Sequence, residues 1–143
     1  MMNKATDTIE LKFERSIAAS PADVFDAWLS PNVPGNPWSM ADKVILNPQV
    51  DGLFYSLLMG TAHFGRFVDV ERPARIQHSW VSPATFGQET IVTVTFAEQG
   101  SGTLMTLVHT GLTDTDQGRS HNGGWNFFLD KLRDRFVPSG TKV

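Results

Sequence analysis

The 143-residue chain contains no cysteine. Disulfide staples, thiolate nucleophiles, iron–sulfur clusters and cysteine-bound zinc are thereby excluded. It has no basic excess: 12 Lys and Arg stand against 15 Asp and Glu, a formal net charge of −3 that leaves no broad footprint for nucleic acid. No apolar run approaches the roughly 20 residues of a membrane-spanning helix. The opening residues, MMNKATDTIELKFERSIAAS, lack the apolar core of a signal peptide, so the expected location is the cytoplasm. Tyrosine is reduced to a single copy, yet the chain carries ten Phe and four Trp. With 41% apolar and 19% charged residues the composition is that of a folded chain. The length fits one domain over residues 1–143, with 1–7 and 138–143 as flexible tails. Where the rings go is the informative question.

Alternation of Ile9, Leu11, Phe13 and Ile17 predicts a half-buried first strand, with Arg15 on its apolar side. Ser20-Pro21-Ala22-Asp23 has the form of a helix start, with an N-cap, a proline for the first helical position and an acid in the first turn. Val24, Phe25 and Trp28 form that helix's apolar stripe, and Pro31 should end it. Residues 31–41, rich in proline, read as a loop or a single short turn containing Trp38. Six strands are expected near 43–50, 53–60, 63–71, 75–82, 89–98 and 103–110, divided by turn signals such as Asp51-Gly52 and Gly100-Ser101-Gly102. Turns this short imply an antiparallel meander. Beyond Gly111 the period changes. Trp125, Phe128, Leu129, Leu132 and Phe136 follow helical spacing, predicting a helix from about 114 to 136, capped by Thr113 and roughly 35 Å long.

The fold class is therefore α+β, an antiparallel sheet with its one apolar face covered by the C-terminal helix. That cover is thin at one end. Stepping back from Trp125 by helical intervals reaches His121 and Gly118, with Gly123 and Gly124 between. Either this half is a loop or kinked turn where backbone approaches backbone, or the missing side chains leave a cavity; both can hold together. On the facing strands Ile76, His78 and Trp80 share one face, as do Met105, Leu107 and His109, with Phe67 and Tyr55 further round. Aromatic walls with a few polar groups are the usual make-up of a small-molecule site. His78, His109 and His121 are the histidines expected to face the cavity, as catalytic groups, as polar hooks for a ligand or as satisfied structural residues. Arg15 either pairs with an acidic neighbour or meets a carboxylate ligand. No metal-ligand motif, phosphate loop or hydrolase elbow is present, and no cofactor is implied.

Several segments together resemble a known family. They are Arg15-Ser16-Ile17, Ala19 to Phe25, Ala27-Trp28, Trp38, Ile76 to Trp80, Thr90 to Phe96, Leu107 to Leu112, and His121-Asn122-Gly123-Gly124-Trp125 through Leu132. The chain resembles the bacterial homologues of the activator of heat-shock protein 90 ATPase, within the START-like (SRPBCC) helix-grip superfamily, from about Ile9 to Phe136. One departure is Asp51-Gly52, where such relatives carry two glycines. The resemblance implies a seven-stranded antiparallel sheet gripping a long C-terminal helix, one or two short helices after the first strand, and a cavity between helix and sheet. The expected function is binding of a small hydrophobic molecule, in a stress-related role, by Trp38, Tyr55, Phe67, His78, Trp80, His109, Gly118, His121 and Trp125. A module that activates a chaperone ATPase and a polyketide-cyclase-like enzyme are the alternatives, with binding ranked above catalysis. Expected partners are the ligand and a chaperone, with no nucleic acid and no membrane span, in a monomer or homodimer.

Overall fold

A computed structural model of the chain describes residues 7–30 and 36–136. Pro31, expected to stop the first helix, and both expected tails apart from Asp7 lie outside the described residues. Strand β1 (Thr8–Ile17) is followed by helix α1 (Pro21–Leu29) and a 3-10 turn (Pro37–Met40). Then come β2 (Lys43–Leu46), β3 (Leu53–Leu58), β4 (Thr61–Glu71), β5 (Arg75–Trp80), β6 (Thr90–Gln99) and β7 (Gly102–Thr113). Helices α2 (Asp116–Arg119) and α3 (His121–Arg135) complete the order. The sheet is seven-stranded and antiparallel in the order β1-β7-β6-β5-β4-β3-β2. The hairpins form a meander from β2 to β7, and β1 returns to pair with β7. Among the described residues no helix is long and apolar enough to cross a membrane.

Local chemistry explains the elements. Ser20 caps α1 by accepting the Asp23 N–H at 3.2 Å, and Pro21 occupies its first turn. Val92, Val94 and Phe96 alternate inward along β6. At the corner before β3, Asp51 adopts a positive φ of 69°. A short polar side chain tolerates that conformation better than most. Gly52 beside it has no substitute, because a Cβ there would sit 2.0 Å from the Asn47 carbonyl oxygen.

Three expectations need correction. Strand β2 ends at Leu46, not near residue 50, because the chain turns at Asn47, whose N–H bonds the Leu53 carbonyl. Strand β7 continues to Thr113, because β1 supplies a partner as far as the Thr8–Thr113 pair. The terminal helix is consequently not continuous from 114. Thr115, rather than Thr113, caps the short α2, accepting the Gly118 N–H at 3.1 Å, and Ser120 joins α2 to α3. Helix α3 has 15 residues, about 22 Å.

The core lies between the sheet's inner face and the helices α1 and α3. Trp38, expected at the cavity's edge, is instead its centre, with no exposed surface. Its ring meets Trp28 at 5.2 Å, Phe54 at 5.3 Å and Phe128 at 4.9 Å. Asn36 holds the turn in place. Its Oδ1 accepts the Trp38 N–H at 2.7 Å, and its Nδ2 donates to the Ala27 and Trp28 carbonyls at the end of α1.

Candidate functional site

A cleft of about 170 Å³ opens where the N-terminal half of α3 stands away from the sheet. Leu58 and His63 of the β3–β4 hairpin form one side, and Trp80 ends β5 beneath it. His121, Gly124, Trp125 and Phe128 of α3 form the other side. Ala84 and Ser120 complete the lining, which has no charged residue. The thin cover predicted from the glycines is thus real at Gly124, where an added Cβ would meet nothing within 4 Å.

Gly118 is a different case and corrects the expectation for it. Its Cβ would lie 1.9 Å from the Thr113 carbonyl oxygen, so α2 rests on β7 backbone to backbone and Gly118 does not line the cleft. Gly118→Ala is therefore expected to lower the thermal midpoint. Gly123→Ala, in open space within the α3 helix, should raise stability by about 1 kcal/mol. Thermal unfolding checks both, and a shift of the same sign in the two variants would contradict this packing.

Behind the cleft the histidines are wired into the core. The indole Nε1–H of Trp125 can only donate, and it donates to His109 Nδ1 at 2.9 Å. His109 must then carry its proton on Nε2, which donates to Thr90 Oγ1 at 2.7 Å, and Thr90 donates to the Trp80 carbonyl at 2.7 Å. His121 is the opposite tautomer. Its Nε2 accepts from Trp80 Nε1 at 3.3 Å and its Nδ1–H points at the Gly118 carbonyl at 3.1 Å. His78 donates from Nδ1 to the Ser79 carbonyl at 2.8 Å and stacks on Phe54 at 4.2 Å. Burial depresses the His78 pKa to about 4. Burial, and then the neighbouring His121 and His78, depress that of His109 to about 2. His63 and His121 are also lowered, chiefly by burial. All four are neutral near pH 7.

Of the nine residues expected at the site, Trp80, His121 and Trp125 line the cleft. Trp38, Phe67, His78 and His109 are buried behind it, at 1% exposure or less. Tyr55 points to the sheet's outer face, because Phe54 and Ser56 take the inward positions of β3. His63, not expected to face the cavity, does so. It shares a strand face with Phe67, four residues on, and that parity was readable. Arg15 has its acidic neighbour: Nε lies 2.8 Å from Asp130 Oδ1, and Nη2 donates to Asn126 Oδ1 at 2.6 Å. Among the described residues no group of three or more His, Cys, Asp or Glu could hold a metal.

The arrangement suits binding more than proton transfer. A general base needs a free lone pair, and both nitrogens of His121 are already engaged. No carboxylate lines the cleft to act with His63.

Comparison with known proteins gives a consistent family. Protein MLL2253 from Mesorhizobium loti superposes with a TM-score of 0.75 at 26% identity, over 91% of this chain and 100% of that one. CalU16 from Micromonospora echinospora gives 0.69 at 28% identity, over 93% and 79%. The Aha1 dimer from Colwellia psychrerythraea gives 0.72 at 15% identity, over 90% and 96%, a likeness of fold alone. No curated protein matches the chain. The profile described as "Activator of Hsp90 ATPase homolog 1-like protein" matches residues 18–136, which takes in every element from α1 to α3. The chain belongs to that family.

Proposed function

We propose that the chain binds a small hydrophobic molecule in the cleft between the sheet and α3. The observation that carries this reading is an uncharged cleft walled by Trp80, Trp125 and Phe128 between α3 and the sheet. Its volume, about 170 Å³, is close to the ~150 Å³ of cavities that accept a benzene ring. The occupant is ring-sized, since drug-sized ligands need about 300 Å³ or more. We place the protein in the cytoplasm, in a stress-related role; the Colwellia relative is a dimer, and sedimentation distinguishes monomer from homodimer here.

Native mass spectrometry of the purified protein should show a bound small molecule. Titration with toluene should shift the indole N–H signals of Trp80 and Trp125 in the NMR spectrum. Gly124→Leu, which projects a side chain into the cleft, should abolish those shifts while the protein stays folded. If the Leu variant bound toluene as the parent does, the cleft would not be the site.

A second reading has its own support. Leu53, Phe64 and Val68 stand 37%, 45% and 50% exposed around the β3–β4 hairpin, an apolar surface suited to a chaperone ATPase of the kind the family description names. Pull-down of the bacterial chaperone, lost in Phe64→Lys, would favour it.

A further inference from the structure

The outer face of the sheet is divided in two. Towards β1 it turns Thr93, Thr95, Thr106 and Thr110 away from the core, with Lys12 and Glu14 on β1 itself. Towards β2 it is apolar. The strand register sets Ile45, Tyr55, Phe64 and Val81 side by side in one row across β2, β3, β4 and the residue after β5. Ile45 and Phe64 are exposed, and Tyr55 and Val81 are half-buried. Helices α1 and α3 pack on the opposite face, so among the described residues no helix covers this row. A groove of about 500 Å³ runs beside it, past Leu53, Val68 and Ile91. Contiguous apolar surface of this kind marks a contact site.

The two ends of the row carry opposite charges. Lys43 shares the outward face of β2 with Ile45, and Glu89, just before β6, lines the groove together with Val81. Both are exposed, and among the described residues neither makes an ion pair. Arg66, the other cation of this face, is turned aside and donates to the Asp51 carbonyl at 2.8 Å. Strand β4, which carries Phe64, is the middle one between β2 and β6. A two-fold axis running along β4 between two facing copies therefore sets Phe64 on its own counterpart and Tyr55 on the smaller Val81. It also brings Lys43 towards Glu89, once at each end. An interface between identical surfaces has to match itself in this way. We infer that this face is where two copies of the chain pack sheet on sheet, with strands nearly aligned and the layers about 10 Å apart. A chaperone could use the apolar row, but the end-for-end match of size and charge belongs to a second copy. The inference is independent of the cleft and of what binds there.

Sedimentation equilibrium at pH 7.5 and low salt, from micromolar to near-millimolar protein, tests this. The parent should pass from monomer to dimer across that range. Phe64→Lys places two ammonium groups at the axis and should weaken the dimer by about tenfold or more. Lys43→Glu and Glu89→Lys each set like charges opposite one another at both ends, and each should weaken it by about threefold to tenfold. Added salt should narrow that difference. The double variant, Lys43→Glu with Glu89→Lys, should recover the parent's dimer, a recovery that general damage to the fold does not give. A dimer untouched by Phe64→Lys overturns the inference, because another face or the β2 edge then makes it. A double variant as weak as the single ones overturns this pairing of the two faces. A parent that stays monomeric throughout also overturns it, and if such a parent captures the chaperone through Phe64, the surface belongs to the chaperone.

Discussion

Moving from pH 7.5 to pH 5 should cost this fold on the order of 4 kcal/mol of stability, from His78 and His109 alone. The sign follows from where the protons go. In the unfolded chain a histidine titrates near 6.5, whereas burial holds His78 at about 4 and His109 at about 2 in the folded protein. Above pH 6.5 both states are neutral and the stability is fully present. Below it the unfolded chain gains protons that the folded core refuses, so stability falls as pH falls through the window toward the folded values. The size depends only on both folded values lying about a unit or more below 5. Each site then loses RT ln(1 + 10^1.5), about 2 kcal/mol. His63 and His121, also lowered, steepen the slope. Urea unfolding at pH 7.5, 6.5, 5.8 and 5 measures it, above the range where most carboxylates protonate. His109→Gln keeps an acceptor for the Trp125 indole and should be less stable at pH 7.5 but flatter with pH, by about one proton. A midpoint that does not move between pH 7.5 and 5 would mean these imidazoles are not buried neutral.

Trp38→Ala should remove the cooperative unfolding transition or bring it near room temperature. Truncating a buried aromatic costs about 3–5 kcal/mol, against a total of about 5–15 kcal/mol for typical domains. Trp38 sits at the high end, since its ring touches Trp28, Phe54, Trp80, Trp125 and Phe128 and has no exposed surface. Trp38→Phe should behave quite differently. It loses part of the ring but also removes an unpaired buried N–H, two effects of opposite sign that leave a change of about 1 kcal/mol or less. Thermal and urea unfolding of the two variants gives the comparison. A loss under about 1 kcal/mol in Trp38→Ala would place the Pro37–Met40 turn outside the core.

These outcomes also mark where sequence patterns run out. Strands such as β6 were legible because one face is apolar and the other polar, so alternation alone assigns each side chain. Leu53-Phe54-Tyr55-Ser56-Leu57-Leu58 carries apolar residues on both faces, so alternation leaves its parity open, and it is the folded sheet that turns Phe54 inward and Tyr55 outward. The break at Ser120 escaped for a non-local reason. Helical spacing runs through it, and what displaces the helix start is the pairing of β1 with β7 as far as Thr113. Trp38 belongs to a short turn, and only tertiary packing shows that a turn lies at the centre of the core. Glycine spacing marked the thin cover without separating Gly118, which backs onto a carbonyl, from Gly124, which borders the cleft.

The pairing of β1 with β7 sets a timetable for synthesis. Ile17 leaves the ribosome long before its partner Thr103 exists, and Arg15 longer still before Asp130. At roughly 5–20 residues per second the first strand waits about 4–17 seconds without a neighbour. The meander from β2 onward can zip hairpin by hairpin meanwhile, but its aromatic face stays open until α3 has emerged. The growing chain thus spends its most aggregation-exposed interval with its Trp and Phe side chains uncovered, and α3, the last helix among the described residues, is the one that closes it.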